Sequence, residues 1–594
     1  MSRYALPFLH TLHHFLPLKE YFIRNRWPLA FGILCLLSVD FLQLAIPLVI
    51  KRAIDSLTLK TASSFMLLKY GMIIMAIALS MALFRFLWRR LLFGHSRKVE
   101  ERLRNRLYKH LQSLSISFYQ RTKTGDLMAR AINDLDAIRM ATGMGLVALT
   151  DGLVLGMAAI GFMMYINVNL TLISLIPAPV IIYLTRIITR RMSKGYERIQ
   201  TTFSDLTESV RESFAGIRVI KAYSRESWEH KKIETIGGKY VYENMKLAKT
   251  MAVFFPLMAI FTNLGLAIII WLGGRLTILE HITTGDFVAF IGYLNLLTWP
   301  MMAMGWVTNI IQRGSASMRR INHILEEVPE ITDPATPRHV SHIKGRIEFK
   351  GTGIKYPGKE DNALMDIHFT VEAGQTIALV GRVGSGKTSL LNTIPRLLET
   401  SGGEVLIDGV NIRYLSLKIL RESIGFVTQE AVIFSDTIRN NVQFGKSEIS
   451  KESLEDILKA VQIYEEIKDF KNGMDTFLGE RGITLSGGQR QRLTIARALL
   501  SDPPILILDD ALSMVDTRTE EKILNRVLEF RKHKTNLMVS HRLSTISRAD
   551  LIVVLEGGRL VEMGDHKTLL DRGREYARLY RKQLLVQELE NGVS

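Results

Sequence analysis

A helical membrane domain of six spans joined to an α/β domain is the fold class that this 594-residue sequence predicts. Three observations carry it. Six apolar stretches crowd the first 311 residues, a proline-bearing linker follows, and beyond it short apolar runs alternate with Gly-rich turns and charged helices. A mean hydropathy of +0.14 beside 23% charged residues fits a lipid-facing half joined to a water-facing one.

The chain opens on residues 4–24, where Leu, Phe and Tyr interleave with His and Lys, as in an amphipathic helix lying at a membrane surface. His10, His13 and His14 share helical spacing, but with no acidic or Cys neighbour they read as a polar face rather than a metal site. The apolar stretch 28–50 is too long for a signal-peptide core and lacks a small-residue cleavage site, so it should persist as a membrane helix. It and the stretches near 67–88, 144–166, 168–187, 252–274 and 287–311 are each long enough to cross about 30 Å of hydrocarbon. Cys35, the only cysteine, excludes a disulfide framework and a Cys-based metal site.

The net charge of +18 is concentrated in residues 89–139 and 186–249, between spans, while few Lys or Arg occupy the alternate loops. That asymmetry predicts both termini in the cytoplasm of a multi-pass protein of the plasma (inner) membrane. No aromatic-interleaved basic patch accompanies the charge, which argues against a nucleic-acid partner and for the lipid bilayer. Both basic segments have helix-forming composition. Each contains a small-residue reversal, Thr124-Gly125-Asp126-Leu127 and Phe214-Ala215-Gly216-Ile217. Within the spans, Asp40, Gln43, Arg85 and Asp151 are costly in hydrocarbon, so they line a polar cavity or pair between helices, or, for Arg85, snorkel toward the cytoplasmic end. Phe41, Trp299, Met301, Met302, Met304 and Trp306 are candidates for an adaptable apolar wall, or for ordinary packing. Pro329, Pro334 and Pro337 mark a linker over 326–344, dividing a membrane domain, 1–325, from an α/β domain, 345–594.

In the second half, Gly381-Arg382-Val383-Gly384-Ser385-Gly386-Lys387-Thr388 follows the apolar strand 376–380 and precedes the helical Ser389-Leu390-Leu391. That strand–loop–helix context is the one a phosphate-binding loop requires. Lys387 is expected to reach the β- and γ-phosphates of ATP and Thr388 to ligate Mg²⁺. A second apolar strand, 505–508, ends in Asp509-Asp510. Asp509 is placed to organise Mg²⁺ and Asp510 to polarise the attacking water.

These motifs, with Leu485-Ser486-Gly487-Gly488-Gln489, resemble an ATP-binding cassette (ABC) exporter with fused membrane and nucleotide domains, over essentially the whole chain. The resemblance implies a type IV, exporter-like helical domain fused to an α/β P-loop ABC domain. By the same resemblance Tyr356 stacks on adenine, Gln429 senses Mg²⁺ and water, and His541 is the γ-phosphate switch. Gly479-Glu480-Arg481-Gly482 matches a cross-linking motif and Ser513-Met514-Val515-Asp516 the loop between sites. Two cassettes close head to tail, so Ser486, Gly487, Gly488 and Gln489 act on ATP held by the partner's phosphate loop. Gly381, Gly384, Ser385, Gly386, Lys387, Thr388 and Ser389 hold this chain's own nucleotide.

The family's catalytic Glu is replaced here by Asp510, one methylene and about 1.5 Å shorter. A retracted general base forfeits about 10²–10⁴ in rate. The pattern resembles the degenerate subunit of bacterial heterodimeric multidrug exporters. It implies a second ABC half-transporter with a catalytic Glu and an altered signature, and an amphipathic small-molecule substrate. A lipid flippase, a peptide exporter and an ATP-gated regulatory membrane subunit are the alternative expectations.

Overall fold

The computed structural model describes residues 13–592 except Ser341, Pro357, Lys359, Glu360, Ser447, Glu448, Glu480, Arg481, Ile483 and His541. The side chains of Ile181, Phe255, Met258, Phe261, Thr262, Met301, Met302, Met304, Leu543, Ser544 and residues 586–592 are also outside the description. His10 and residues 4–12 of the expected surface helix therefore lie outside the described residues, as do the three Met side chains; the remainder forms a 3-10 turn, Leu16–Leu18, and a helix, Lys19–Arg24. The chain divides into two compact units, residues 1–112 with 123–327 and residues 113–122 with 328–594.

The first unit is built from six long helices: α1 (Arg26–Thr58), α2 (Ser64–Ser113), α3 (Thr124–Ile166), α4 (Val168–Ala215), α5 (Glu226–Ile268) and α6 (Thr284–Leu325). Among the described residues α1 to α4 are long and apolar enough to cross a membrane. α5, continued by a π turn at Ile269–Gly273, and α6 hold the other two apolar stretches. α4 is interrupted at Leu175-Ile176, and Pro177 restarts it at a first-turn position where no backbone N–H is needed.

Polar ties fix this bundle where apolar packing alone would let helices slide. Tyr293 on α6 is fully buried, stacks on Phe162 of α3 and donates to the Leu44 carbonyl of α1 at 3.1 Å. At the start of α6, Thr283 and Asp286 form a reciprocal cap, and Lys51 reaches Asp286 at 2.5 Å. There the Gly285 amide donates to Asp55 at 2.8 Å, and a Cβ on Gly285 would lie 2.3 Å from the Lys51 carbonyl. Only glycine permits that approach. Further along, Asp134 of α3 accepts from Ser317 at 2.9 Å and from Arg320 Nε at 2.8 Å, both on α6.

The first reversal is not at 124–127. Lys123 is extended and its carbonyl accepts from the Asp126 and Leu127 amides, so helix already begins at Thr124 and Gly125 sits in its first turn. The chain turns earlier, around the short helix Ile116–Arg121. The second reversal begins at Gly216, which closes α4, and runs through the helix Ile217–Ala222 to Ser224, where φ is 50°.

Among the described residues the second unit carries ten strands: β1 (Ile347–Ile354), β2 (Leu364–Val371), β3 (Thr376–Val380), β4 (Gly402–Ile407), β5 (Val410–Asn411), β6 (Ile424–Val427), β7 (Ile505–Asp509), β8 (Thr535–Val539), β9 (Leu551–Glu556) and β10 (Arg559–Gly564). They form two sheets, ordered β2-β1-β4-β5 and β10-β9-β3-β8-β7-β6. The first is antiparallel, which the early strand pattern did not announce; the second is parallel from β9 to β6. Every residue of β3, β7 and β8 is buried, as a sheet covered on both faces demands. Helices α7 (Lys387–Thr393), α8 (Gly487–Leu499) and α9 (Thr517–Phe530) carry the motifs.

The linker is fastened at both ends within this unit. Glu330 accepts from Ser117 at 2.5 Å, the Ile331 amide donates to Ser115 at 3.1 Å, and Asp333 accepts from the Leu417 amide at 2.7 Å.

Candidate nucleotide site and membrane cavity

Because β3, β8, β7 and β6 are parallel neighbours, the loops leaving their C-terminal ends emerge along one sheet edge. That edge gathers loop 381–386, Ser540, Asp509-Asp510 and Gln429, motifs spread over 160 residues of sequence. His541 lies outside the described residues, as do Glu480 and Arg481 of the 479–482 motif.

In the phosphate loop Gly386 has φ 99°, and a Cβ there would meet Leu364 at 2.5 Å. Backbone and space both require glycine. Ser385 Oγ is buried without a hydrogen-bond partner, while the buried Lys387 Nζ donates to the Gly381 and Arg382 carbonyls at 2.7 and 2.9 Å. An orphaned hydroxyl beside a buried ammonium fits a polyanionic phosphate chain. Burial pushes the Lys387 ammonium below the usual lysine range, against the pull of Asp509 and Asp510. Tyr356 OH and Ser389 Oγ are 2.9 Å apart, which anchors the aromatic ring beside α7.

Asp509 ends β7 and is 3% exposed. Burial pushes its carboxyl up; the Thr388 hydroxyl opposes that, Asp510 reinforces it and Lys387 opposes it. A hydroxyl paired with one buried carboxylate suits Mg²⁺, an ion that takes few protein ligands and completes its shell with phosphate and water. Gln429 sits exposed on the loop after β6. Asp510 follows in the left-handed region, φ 51°, with its amide donating to the Val539 carbonyl at 3.1 Å.

Ser486 caps α8 reciprocally with Gln489, whose amide also donates to Glu466 at 2.8 Å. Glu466 in turn receives Arg492 at 2.6 and 3.0 Å. Gly487 and Gly488 lie under Met514, with Cβ positions 2.6 Å from its Sδ and 3.0 Å from its carbonyl. Among the described residues the signature's contacts thus include Glu466 and loop 513–516, and the Leu485 amide donates to the Gly482 carbonyl at 2.9 Å.

Two buried polar residues that bond to the loops of the site carried no sequence signal. Gln491 bonds loop 513–516 from the signature helix, and Glu520 on α9 pairs with Arg542 and accepts from Thr545 at 2.7 Å. Burial pushes the Glu520 carboxyl up, with Thr545 and Arg542 opposing it. A polar residue facing inward from an amphipathic helix is the only hint, and it is generic. A cavity of 190 Å³ opens beside Asp510, Ser513, Glu520 and Arg542.

In the first unit a cavity of 350 Å³ is walled by Gln43, Arg85, Trp88, Asp151, Asn295 and Trp299, among others. Trp299 Nε1 donates to Asp151 at 3.1 Å, and three of the four polar span residues converge here with one of the six candidate wall residues, Trp299. Asp40 is buried beside it, 1% exposed, with neither carboxylate oxygen bonded to a donor. Phe41 is not one of its walls; it is 57% exposed.

Residues 29–301 match the ABC transporter transmembrane region, and residues 364–513 match the ABC transporter family. The chain belongs to the ABC transporter family. It is 34% identical over 97% of its length to a probable multidrug resistance ABC transporter ATP-binding/permease protein, YheI of Bacillus subtilis (strain 168), 97% of which is covered. It is 34% identical to the multidrug resistance-like ATP-binding protein MdlA of Escherichia coli (strain K12), over 96% of this chain and 97% of that one. An ATP-dependent lipid A-core flippase of Hahella chejuensis (strain KCTC 2396) is 35% identical over 82% of this chain and 83% of its own. The structure of a bacterial Atm1-family ABC exporter with ATP bound superimposes with a TM-score of 0.77 at 27% identity, covering 94% and 98% of the two chains. This ABC transporter is therefore a multi-pass membrane protein of exporter fold, a helical transmembrane domain fused to an ATP-binding domain. Membership in the family implies an ATPase coupled to transport.

Proposed function

We propose that this ABC chain is one half of a heterodimeric exporter that moves amphipathic or drug-like molecules out of the cytoplasm across the plasma membrane. The observation that carries this reading is Asp510, a carboxylate one methylene short of the family's Glu, beside an intact signature at 485–489. Lys387, Ser385 and the 381–386 amides bind the phosphates of ATP, and Tyr356 stacks on its base. Thr388, Asp509 and Gln429 would hold Mg²⁺, which when bound neutralises phosphate charge. Asp510 orients water poorly, His541 contacts the γ-phosphate, and this site stores ATP rather than consuming it. Ser486 to Gln489 complete a competent site whose Glu belongs to a second, unlike chain. ATP moves the spans because it binds the closed pair of cassettes better than the open pair, and hydrolysis at the competent site removes that bridge. Both termini lie in the cytoplasm, on the side where Lys and Arg abound.

The names of YheI and MdlA support a drug-like cargo, and the mixed polar and aromatic lining of the 350 Å³ cavity suits amphipaths. A lipid cargo is the second reading, favoured by the likeness to lipid A-core flippases. The test is ATPase turnover of the purified chain alone in lipid vesicles. We expect almost none, and a gain on the order of 10²-fold for Asp510→Glu. Brisk turnover that Asp510→Ala abolishes would overturn the asymmetric reading. Adding the unlike chain should then confer ATP-dependent dye uptake into inverted vesicles.

A further inference from the structure

We propose that Gln491 is a positioning residue that ties this chain's signature to its own Asp510, so that a shift at one ATP site is felt at the other. The inference rests on the head-to-tail arrangement proposed above, in which signature and Walker motifs of one chain serve different ATP molecules. Gln491 lies two residues beyond the signature on α8 and is 1% exposed. Its Nε2 donates to Ser513 Oγ at 3.0 Å, and its Oε1 accepts from the Met514 amide at 2.9 Å. Ser513 Oγ donates onward to the Asp510 carbonyl at 3.1 Å. A hydroxyl has one proton, so accepting from Gln491 and donating to Asp510 fixes the direction of the whole chain of bonds.

The same loop is held on its other flank. The Val515 carbonyl accepts from Arg542 at 2.7 Å, and Arg542 is paired with the buried Glu520. Met514 meanwhile rests on Gly487 and Gly488 with no room for a Cβ between them. Three consecutive residues, 513 to 515, are thus bonded by side chains or packed by backbone from outside the loop. The loop cannot move without displacing either the first turn of α8 or the Asp510 backbone. The 190 Å³ cavity beside Asp510 and Ser513 supplies the space into which such a displacement goes. Only a neutral amide serves at 491. A carboxylate lacks the donor to Ser513, and an apolar side chain lacks both functions while leaving the Met514 amide without an acceptor.

The experiment is a double-mutant cycle in the full-length chain, assembled with whatever partner it requires in lipid vesicles. Gln491→Met and Ser513→Ala are each expected to lower kcat about tenfold, with ATP affinity within about twofold of the parent, and the double variant should be no worse than either single one. Singles that leave kcat within about twofold overturn the relay, as does a double variant whose loss is the product of the two. A loss of ATP affinity matching the loss of kcat also overturns it, because that is what general damage to the fold produces. If Gln491→Met yields no folded protein, Ser513→Ala decides alone, and unchanged kcat sinks the idea. Turnover by the isolated chain bears on Asp510 and not on Gln491, since the relay operates in paired identical chains as in unlike ones.

Discussion

Lys387 shows how one residue's burial sets a measurable property. Its ammonium titrates below the usual lysine range because burial disfavours charge, and the two neighbouring Asp side chains recover only part of that. The protonated form binds phosphate, so ATP affinity should decline as pH rises through this depressed value, earlier than for an exposed lysine. Lys387→Arg should remove that decline, which fluorescent-nucleotide titrations from neutral to alkaline pH would register. Asp510 carries a second residue-scale consequence. At φ 51° its backbone lies where Asp and Asn are enriched, so Asp510→Asn should leave thermal stability essentially unchanged while removing any residual charge on water. The roles of Lys387, Thr388 and Asp509 were legible because their chemistry dictates type and spacing together. Gln491 and Glu520 were not, since a buried amide or carboxylate earns its partner only when distant loops are brought together.

Elements were legible where period and length agree, and less so at their ends. Six apolar stretches became six helices, but the first reversal was misplaced by several residues. The signal there was a glycine, whereas the deciding factor was the extended Lys123 whose carbonyl starts the next helix. Strand existence was read correctly for 346–349 and 368–371, but not that these strands pair antiparallel in a sheet of their own. Two predictions belong here. α9 starts at Asp516, whose side chain accepts from the Thr519 amide at 2.9 Å, and that backbone hydrogen bond chiefly holds its carboxyl below the usual range. A depressed carboxylate stabilises the fold above its unfolded pKa and loses that contribution as pH falls through its folded one. Asp516→Ala should cost about 1 kcal/mol at neutral pH and less in acid, checked by thermal unfolding at both. Gly285→Ala should separate the start of α6 from α1, lowering the melting temperature, because the new methyl would collide with the Lys51 carbonyl.

At the scale of the whole molecule the two units do not follow the sequence boundary. Residues 113–122 cluster with 328–594, although they lie between the second and third membrane helices in the chain. What looked like a passive spacer at 326–344 is engaged through Glu330, Ile331 and Asp333. Proline content marked the place, but polar contacts across more than 200 residues cannot be seen in a linear string.

That fastening has a practical corollary for anyone wishing to study ATP handling without detergent. A soluble fragment beginning at residue 345 would strip Asp333 from the Leu417 amide at the start of the short helix Leu417–Glu422. One beginning at Val328 retains that acceptor, although Glu330 then waits for Ser117, and a synthetic peptide spanning 113–122 should bind it and raise its melting point.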